Sequence, residues 1–570
     1  MNVIAAGKAY INKMTEESEP GMKVLMMDKE TTSIVSMICS QSEIQQKEVY
    51  LVERISDSQN QNNTMALRYL KCLVFLRPTT ENIKLLCYEL TRPKYGSYYI
   101  YFSNIIAKAD IKVLAEHDEQ EVVKEVQELY MDYLAVNPHL FSLGLNCPIN
   151  DLTWNVDALQ RSVAGVISVL LSLKKCPLIR YQNNSKLCKE LGKKISDIIS
   201  KESTLFAFGQ SSQSLLLILD RRDDPITPLL NQWTYQAMVH ELLTIYNNRV
   251  NLSKVPGISK ELTEVVLSAE QDAFYAKNIF LNYGEIGQNI KQLMEQFQMK
   301  AKSHQKIESI ADMKNFVDAY PQFKKLSGNV TKHVTVVGEL SSMVNKYHLL
   351  DVSEVEQEIT SQNDHSSHLQ GIKKLIANDK IRPLDLVKLV ILYALRYQNH
   401  ANNEVVGLID MLKKRNISKN LLSNIAYVLE YAASITRQND LFNVEEAVKI
   451  TKRFFKGLSG VDNVYTQHKP LLQETLEEIA RGRLKENLYP CMGFNNNSNR
   501  CQDIIVFMIG GTTYEESLVV HSFNRNHPGF NVLLGGTSIH NSNSFLEEVK
   551  QSVLNIPKKS SRKFRNLECQ

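Results

Sequence analysis

The chain has 570 residues, 43% hydrophobic and 22% charged, with a net charge of +4 at pH 7. That length exceeds one hydrophobic core, the composition is globular, and the near-balance of charge excludes the strong basic field of a nucleic-acid binder. Nine cysteines run from Cys39 to Cys569 without a CxxC pair, which argues against a zinc site or a secreted disulfide framework and suits a reducing cytosol. The N-terminus has no apolar signal-peptide core, and no run reaches the ~20 apolar residues of a membrane span.

The first block, to residue 137, alternates strand and helix signals. Lys23–Asp28, Ser33–Ile38, Glu48–Ile55, Cys72–Pro78 and Tyr98–Ser103 read as strands. Thr79–Leu90 reads as a helix between two of them. The alternation predicts a doubly wound α/β unit with a parallel sheet. Spacing predicts a charged helix over Glu119–Leu134, with Val122, Val126 and Tyr130 on one stripe. Asp28 and Glu53 sit at strand ends, where carboxylates can be catalytic. No paired histidine, serine elbow or glycine-rich phosphate loop joins them, which favours a structural or partner-contact role.

In the second block, about 138–246, Val163, Val166, Val169 and Leu170 mark a buried helix. Leu215–Leu219 is a short apolar run, right for a strand buried on both faces. Asp220 to Pro225 form a charged turn. Thr227 and Pro228 read as N-cap and first helical residue, followed by a helix with Tyr235, Val239, Leu242 and Tyr246 on one face. This corner lies where open α/β sheets place ligands. Asp220, Asp223 and Asp224 offer carboxylates for a metal. The competing and favoured reading is an Arg/Asp network that fixes the corner and joins two domains, since no GxxxxGK[ST] or GxGxxG accompanies the strand.

The third block, about 247–480, is dominated by amphipathic helices. Ile286, Ile290, Leu293, Met294 and Phe297 fall at helical spacing, and Tyr320-Pro321-Gln322-Phe323 marks a bend between two long helices. Lys302, His304, Lys306, Lys324, Lys325, Lys332 and His333 read as the polar face of that hairpin. His365 and His368 stand three apart without a cysteine or carboxylate at helical offset, so they are not read as a metal site. Pro383 opens an apolar, buried helix. Asp503–Gly511 and Phe530–Thr537 then read as strands ending in Gly-Gly, with Thr513–Asn524 as the crossover helix. The glycine pairs read as tight turns rather than phosphate cradles.

The run LDRRDDPITPLLNQWTYQAM, from Leu219 to Met238, resembles the signature of the SM family of SNARE-binding proteins. YPQFKKLSGNVTKHVTVVGELS and EVEQEITSQNDHSSHLQ look most like its endosomal branch. The resemblance implies an α/β fold with a large, mostly helical insertion. It further implies an arch of three domains, with parallel-sheet domains 1 and 2 and a helical domain 3 around a central cleft. Residues 1–137 would be domain 1, 138–246 plus 481–557 a discontinuous domain 2, 247–480 domain 3, and 558–570 a basic flexible tail. By the same resemblance, Asp28, Glu53 and Arg54 lie near the SNARE cleft. Leu114, Val122, Val126 and Tyr130 mark an outer pocket for a SNARE amino-terminal peptide. Asp220, Arg221, Asp224, Pro228 and Trp233 form a structural corner, and Pro321 and Phe323 belong to the hairpin.

The function so implied is non-enzymatic and needs no cofactor. The partner is a syntaxin-type (Qa) SNARE of the trans-Golgi network and endosome and its SNARE complex, with no nucleic acid and membrane contact only through the SNARE. The protein is expected to be a cytoplasmic monomer, peripheral to Golgi and endosomal membranes. Ser33 stands about where the neuronal branch often has a basic residue, so that branch's cleft contacts are not carried over. The rival class is an α/β enzyme binding nucleotide or phosphate at the Asp220 corner.

Overall fold

The computed structural model describes residues 1–60, 67–208, 213–305, 310–437, 441–442, 467–492 and 501–554. Strands β1 (Lys23–Met27), β2 (Val49–Arg54), β3 (Leu67–Leu76), β4 (Tyr95–Phe102) and β5 (Val123–Glu128) form a parallel sheet in the order β2-β1-β3-β4-β5. Alternate side chains go to opposite faces. Leu25, Met27, Leu73, Phe75, Tyr99 and Tyr101 pack against Val3, Ile34 and Ile38 on one side. Val24, Met26, Cys72, Val74, Tyr98 and Ile100 pack against Ile83, Leu86 and Leu114 on the other.

Two expectations for this block are corrected. Ser33–Ile38 is not a strand but the end of the helix Lys29–Ile38. Asp28 accepts a hydrogen bond from Thr31 N, and Thr31 Oγ1 accepts one from Asp28 N, so a capping box starts a helix directly after β1. Conversely, the helix expected over Glu119–Leu134 is strand β5 followed by extended chain. The Asp118 carboxylate accepts Val122 N and Val123 N at 2.9 and 3.0 Å, which turns the chain out of the helix Lys108–His117. The free edge of β4 then captures the valine-rich run. Pairing overrode helical spacing.

Next come β6 (Leu134–Asn137), β7 (Leu140–Ser142), the hairpin β8 (Ile149–Asn150) and β9 (Thr153–Trp154), then β10 (Leu178–Tyr181) and β11 (Ser214–Asp220). A small antiparallel sheet follows, β12 (Ile245–Tyr246), β13 (Arg249–Asn251) and β14 (Glu264–Val266), in a stretch expected to be helical. The chain returns as β15 (Asp503–Ile509) and β16 (Asn531–Gly536). The second sheet runs β10-β11-β15-β16-β7-β6, parallel except between β6 and β7. Leu134–Asn137, read with the first block, thus pairs into the second sheet. Every residue of β11 and β15 is buried, because helices cover both faces.

The helices Leu349–Ser361, His365–Ile376, Pro383–Tyr397, Val405–Lys414 and Lys419–Ala433 form a second apolar cluster. It includes Ile226, Leu229 and Leu230 of the charged corner and Phe545, Leu546 and Val549 of the final helix Ser542–Val553. The helical block is therefore packed onto the corner and the closing helix rather than tethered beside them.

Gly510 and Gly511, with φ of 83° and 81°, turn the chain at the end of β15. A Cβ at Gly511 would stand 2.4 Å from His540 Cδ2 and 2.6 Å from Ser538 Oγ. Gly511→Ala is expected to lower stability by roughly 3 kcal/mol or more, read as a reduced urea midpoint with an unchanged slope.

Candidate functional site

The corner after β11 departs from its expected form. Thr227–Leu229 is a single 3-10 turn, and the helix starts only at Tyr235 and ends at Leu242. Tyr246 lies in β12 and is exposed. The cause is Asp224. Its carboxylate accepts Thr227 Oγ1 at 2.6 Å, Thr227 N at 3.1 Å and Ile226 N at 3.2 Å, folding Pro225–Thr227 back on itself. Ile226 and not Thr227 caps this turn, and Pro228 is its second residue and is buried.

Every charge of the corner is committed within the chain. Asp220 accepts Arg222 Nη2 and Ser185 Oγ, both at 2.5 Å. Arg221 has no exposed surface. Its Nε donates to Gly511 O at 3.0 Å, Nη1 to Asp224 O at 3.1 Å and Nη2 to Glu516 Oε2 at 2.5 Å. Asp224 also accepts Leu471 N at 3.2 Å. Burial pushes the Asp224 carboxyl up, but Arg221, His468 and the hydrogen bonds from Thr227 together outweigh it and hold the group below its ordinary value. Burial pushes Asp223 up to about 6, against the opposing pull of Arg437, whose Nε stands 3.6 Å away.

The next residues reach into the helical block. Trp233 Nε1 donates to Ser353 Oγ at 2.7 Å. Asn231 donates through N and Nδ2 to Glu356 at 2.9 and 3.1 Å. Fully buried Lys388 stands 3.6 Å from both Glu356 and Glu241, and Glu241 accepts Ser542 Oγ at 2.6 Å. The three aspartates offered for a metal thus face Arg222, Arg437 and Thr227 separately. Among the described residues no group of three histidine, cysteine or acidic side chains is placed to hold one. Two histidines are held neutral. Burial lowers His240 to about 4, and its Nδ1 accepts Ile245 N at 3.1 Å. Burial, with Arg396 nearby, lowers His368 to about 4.

The residues assigned to a cleft fare unequally. Asp28 is buried, and its carboxylate accepts Thr31 N, Thr31 Oγ1, Arg77 N and Asn82 Nδ2 at 2.6 to 2.9 Å. It caps a helix and offers no surface. Glu53 is half-buried, bound by Lys94 Nζ at 2.8 Å and Tyr95 OH at 2.7 Å, while Arg54 is exposed. The sequence reading missed the apolar side chains beside them. Tyr50, Leu51 and Val52 of edge strand β2 are 59%, 41% and 48% exposed, and Tyr69 of β3 is 76% exposed. The signal was a run of consecutive apolar residues in a strand at the sheet's edge.

In the proposed outer pocket, Leu114 and Val122 are only 4% and 6% exposed and belong to the sheet's core. Val126 is exposed, and Tyr130 is half-buried with its hydroxyl donating to Glu128 at 2.7 Å. The apolar side chains open to solvent there are Ile111, Val113 and Val126.

The hairpin helices are Tyr283–Gln305 and Ile310–Lys346. Pro321 lies inside the second helix instead of at the bend, and its side chain is outside the described residues, as are those of Lys302, His304 and Lys306. Phe297 and Phe323 stack at 5.4 Å. Lys324 and Lys325 are exposed, but His333, expected on the polar face, is fully buried. It bonds Tyr235 OH and Asp272 Oδ2, each at 2.8 Å, and joins the hairpin's base to the helix after the corner.

A model of the Sec1 family matches residues 23–548. The chain is 59% identical over 563 residues to vacuolar protein sorting-associated protein 45 of Mus musculus, covering 98% of each. It is 58% identical to the protein of the same name from Homo sapiens, over 98% of each. Among solved structures, "SM Protein Vps45 in Complex with Qa SNARE Tlg2" matches with a TM-score of 0.92 at 46% identity, over 98% of this chain and 99% of that one.

Arg221→Met leaves Glu516 and Asp224 buried without their partner and is expected to cost about 3–5 kcal/mol. Adding Glu516→Gln should recover part of that, measured by urea unfolding. For His240, the folded state refuses a proton between its ordinary value and about 4, so its contribution is lost as pH falls through that window. Asp223 and Glu356, pushed up by burial to about 6 and about 7, act with opposite sign. The check is therefore a difference: from pH 7 to 4, wild type should lose more unfolding free energy than His240→Gln.

Proposed function

The chain belongs to the Sec1 family, and from that premise we propose that it is a non-enzymatic SM protein. It binds a syntaxin-type (Qa) SNARE and governs SNARE complex assembly in transport between the trans-Golgi network and endosomes. The observation that carries the proposal is the end-to-end likeness to a protein solved with a Qa SNARE bound. The names of the relatives support a place of work at vacuolar-sorting membranes. No helix among the described residues is long and apolar enough to cross a membrane, which fits attachment through the SNARE.

The mechanism is positioning. A partner helix held in one geometry finds its mates faster than a free one, and a state-selective grip shifts which SNARE conformation is populated. What speaks against the enzyme alternative is that Asp220 and Asp224 already bond Arg222, Ser185 and Thr227. The domain division, cleft and outer pocket remain proposals. For the cleft we place the contact on the uncovered edge of the first sheet, Tyr50, Leu51 and Val52 beside Glu53 and Arg54. Apolar anchors flanked by charge suit an amphipathic helix. For the outer pocket we place it on Ile111, Val113 and Val126, where an apolar peptide residue gains burial without opening the core.

Tyr50→Asp with Val52→Asp should weaken binding of the SNARE's cytosolic region at least about tenfold by calorimetry, with an unchanged melting temperature. Val126→Arg should weaken binding only when the SNARE carries its amino-terminal peptide. Affinities untouched by either change would remove both assignments. A melting temperature raised by nucleotide with Mg²⁺ but not by the SNARE fragment would remove the function itself.

A further inference from the structure

The small antiparallel sheet β12–β14 stands between two larger bodies. On one side it meets the hairpin helix Ile310–Lys346. Lys332 Nζ donates to Val266 O at 3.2 Å and pairs with Asp272, whose Oδ2 also bonds His333 at 2.8 Å. On the other side it meets the helices packed against the first sheet. Lys8 Nζ, on the helix Val3–Glu17, donates to Glu270 Oε2 at 2.6 Å. Asn247 Nδ2 donates at 3.2 Å to Ser33 Oγ, on the helix Lys29–Ile38. Asn247 and Asn248 form the two-residue turn between β12 and β13, with φ of 48° and 59°, a left-handed backbone that asparagine tolerates. Leu267 N donates to Asn248 O at 2.8 Å, which ties this turn to the chain just before Glu270. One unit therefore carries both contacts to the first sheet's helices.

The two sides of this unit differ in strength. Toward the hairpin, Asp272 and His333 are buried. Toward the first sheet, the Lys8 and Glu270 side chains are 34% and 30% exposed, and Ser33 and Asn247 are half-buried. The first sheet's other charged joint is of the buried kind. There Asp132 faces Arg77 Nε at 3.0 Å and Arg161 Nη2, on the helix Val156–Ser172, at 3.2 Å. A buried charge cannot give up its partner, whereas an exposed pair exchanges its partner for water at little cost. One exposed ion pair and one hydrogen bond together favour the closed arrangement by roughly 5- to 30-fold. Polar contacts between large bodies permit relative movement, and a small shear breaks both of these. An α-helix is roughly 10–12 Å across, so none fits where the bodies are joined at hydrogen-bonding distance.

We propose that β12–β14 is a strap across the partner's cleft, closed in the free protein and opened when a SNARE helix is seated between the first sheet and the hairpin. The inference rests on the reading of the protein as a Qa-SNARE binder and adds a device that restrains that binding. Lys8, Glu270, Ser33 and Asn247 are positioning residues. They hold the two bodies together until the partner's own contacts outweigh theirs. A binding-competent state that is only fractionally populated lowers the apparent affinity by that fraction, so loosening the strap tightens binding.

The test uses the full chain and the cytosolic region of a Qa SNARE. Lys8→Glu and Glu270→Lys each set like charges face to face. Each should lower the calorimetric Kd about threefold, and the two combined, which restore attraction with the roles exchanged, should return it to the wild-type value. A direct charge effect on the SNARE would move the single variants in opposite directions, since one adds negative charge and the other positive. The melting temperature should stay within about 2 °C in all three. A second arm needs no variant. In the free protein a zero-length carbodiimide should join Lys8 to Glu270, as it joins Lys373 to Glu404, an ion pair of the same 2.6 Å length in the helical block. With the SNARE region bound, the first cross-link should fall at least about threefold relative to the second, read by mass spectrometry. Four results overturn the strap and leave SNARE binding in place: single variants that do not both bind tighter, a double variant that stays tight, a cross-link missing from the free protein, or one unmoved by the SNARE. A wild type that binds no SNARE region overturns the functional reading itself, and the strap with it.

Discussion

The Arg221 guanidinium, sealed from water, holds the molecule's parts in one geometry. It bonds the backbone of the Gly510–Gly511 turn, the carboxylate of Glu516 and the backbone of Asp224. A buried cation without partners would be intolerable, so each of these groups must be in place at once. The strand β11, the returning strand β15 and the entry to the helical block are thereby fixed to one another. Asp224 extends the network to Leu471, and Asn231, Trp233 and Lys388 extend it into the helices around Glu356. Such a pattern restricts alternatives more than it adds stability, because paired buried charges roughly balance their own desolvation.

A rigid junction suits the positioning role proposed above. The hairpin's base is anchored by fully buried His333 to Tyr235 and Asp272, directly beyond the corner. Any partner helix laid against the hairpin and the first sheet therefore meets surfaces whose separation is set by the same network. The chemistry at the carboxyl ends of both sheets follows the same logic. Asp28 in the first and Asp220 in the second stand where α/β enzymes hold ligands, yet each carboxylate is saturated by its own chain. The crevices have been converted into joints, while exposed apolar side chains stand on the edge strand β2.

Much of this was readable beforehand, and the misreadings share one cause. The strands β1, β3, β11, β15 and β16 are short apolar runs bounded by Asp, Pro or Gly, and local pattern sufficed for them. Ser33–Ile38 failed because an apolar run of that length suits a strand or one face of a helix equally. Only the Asp28–Thr31 capping box decided between them. Glu119–Leu134 failed in the opposite direction, since its valines fit helical spacing while an unfilled edge of β4 waited for them. Leu114 and Val122 were grouped with Val126 and Tyr130 as an outer pocket, but spacing cannot say whether an apolar residue meets solvent or a core, and these two are in the core.

The amino-acid order alone determined the class of fold, the return of the chain to an earlier sheet and the family, because these rest on local apolar patterning and on an unbroken run of signature residues. Tertiary structure alone decided which charges are spent and which surfaces are free. Saturation of Asp220 by Arg222 and Ser185, burial of His333 and exposure of Tyr50 to Val52 all depend on groups distant in sequence. Burial is a property of the neighbours a residue acquires, and no local window contains them.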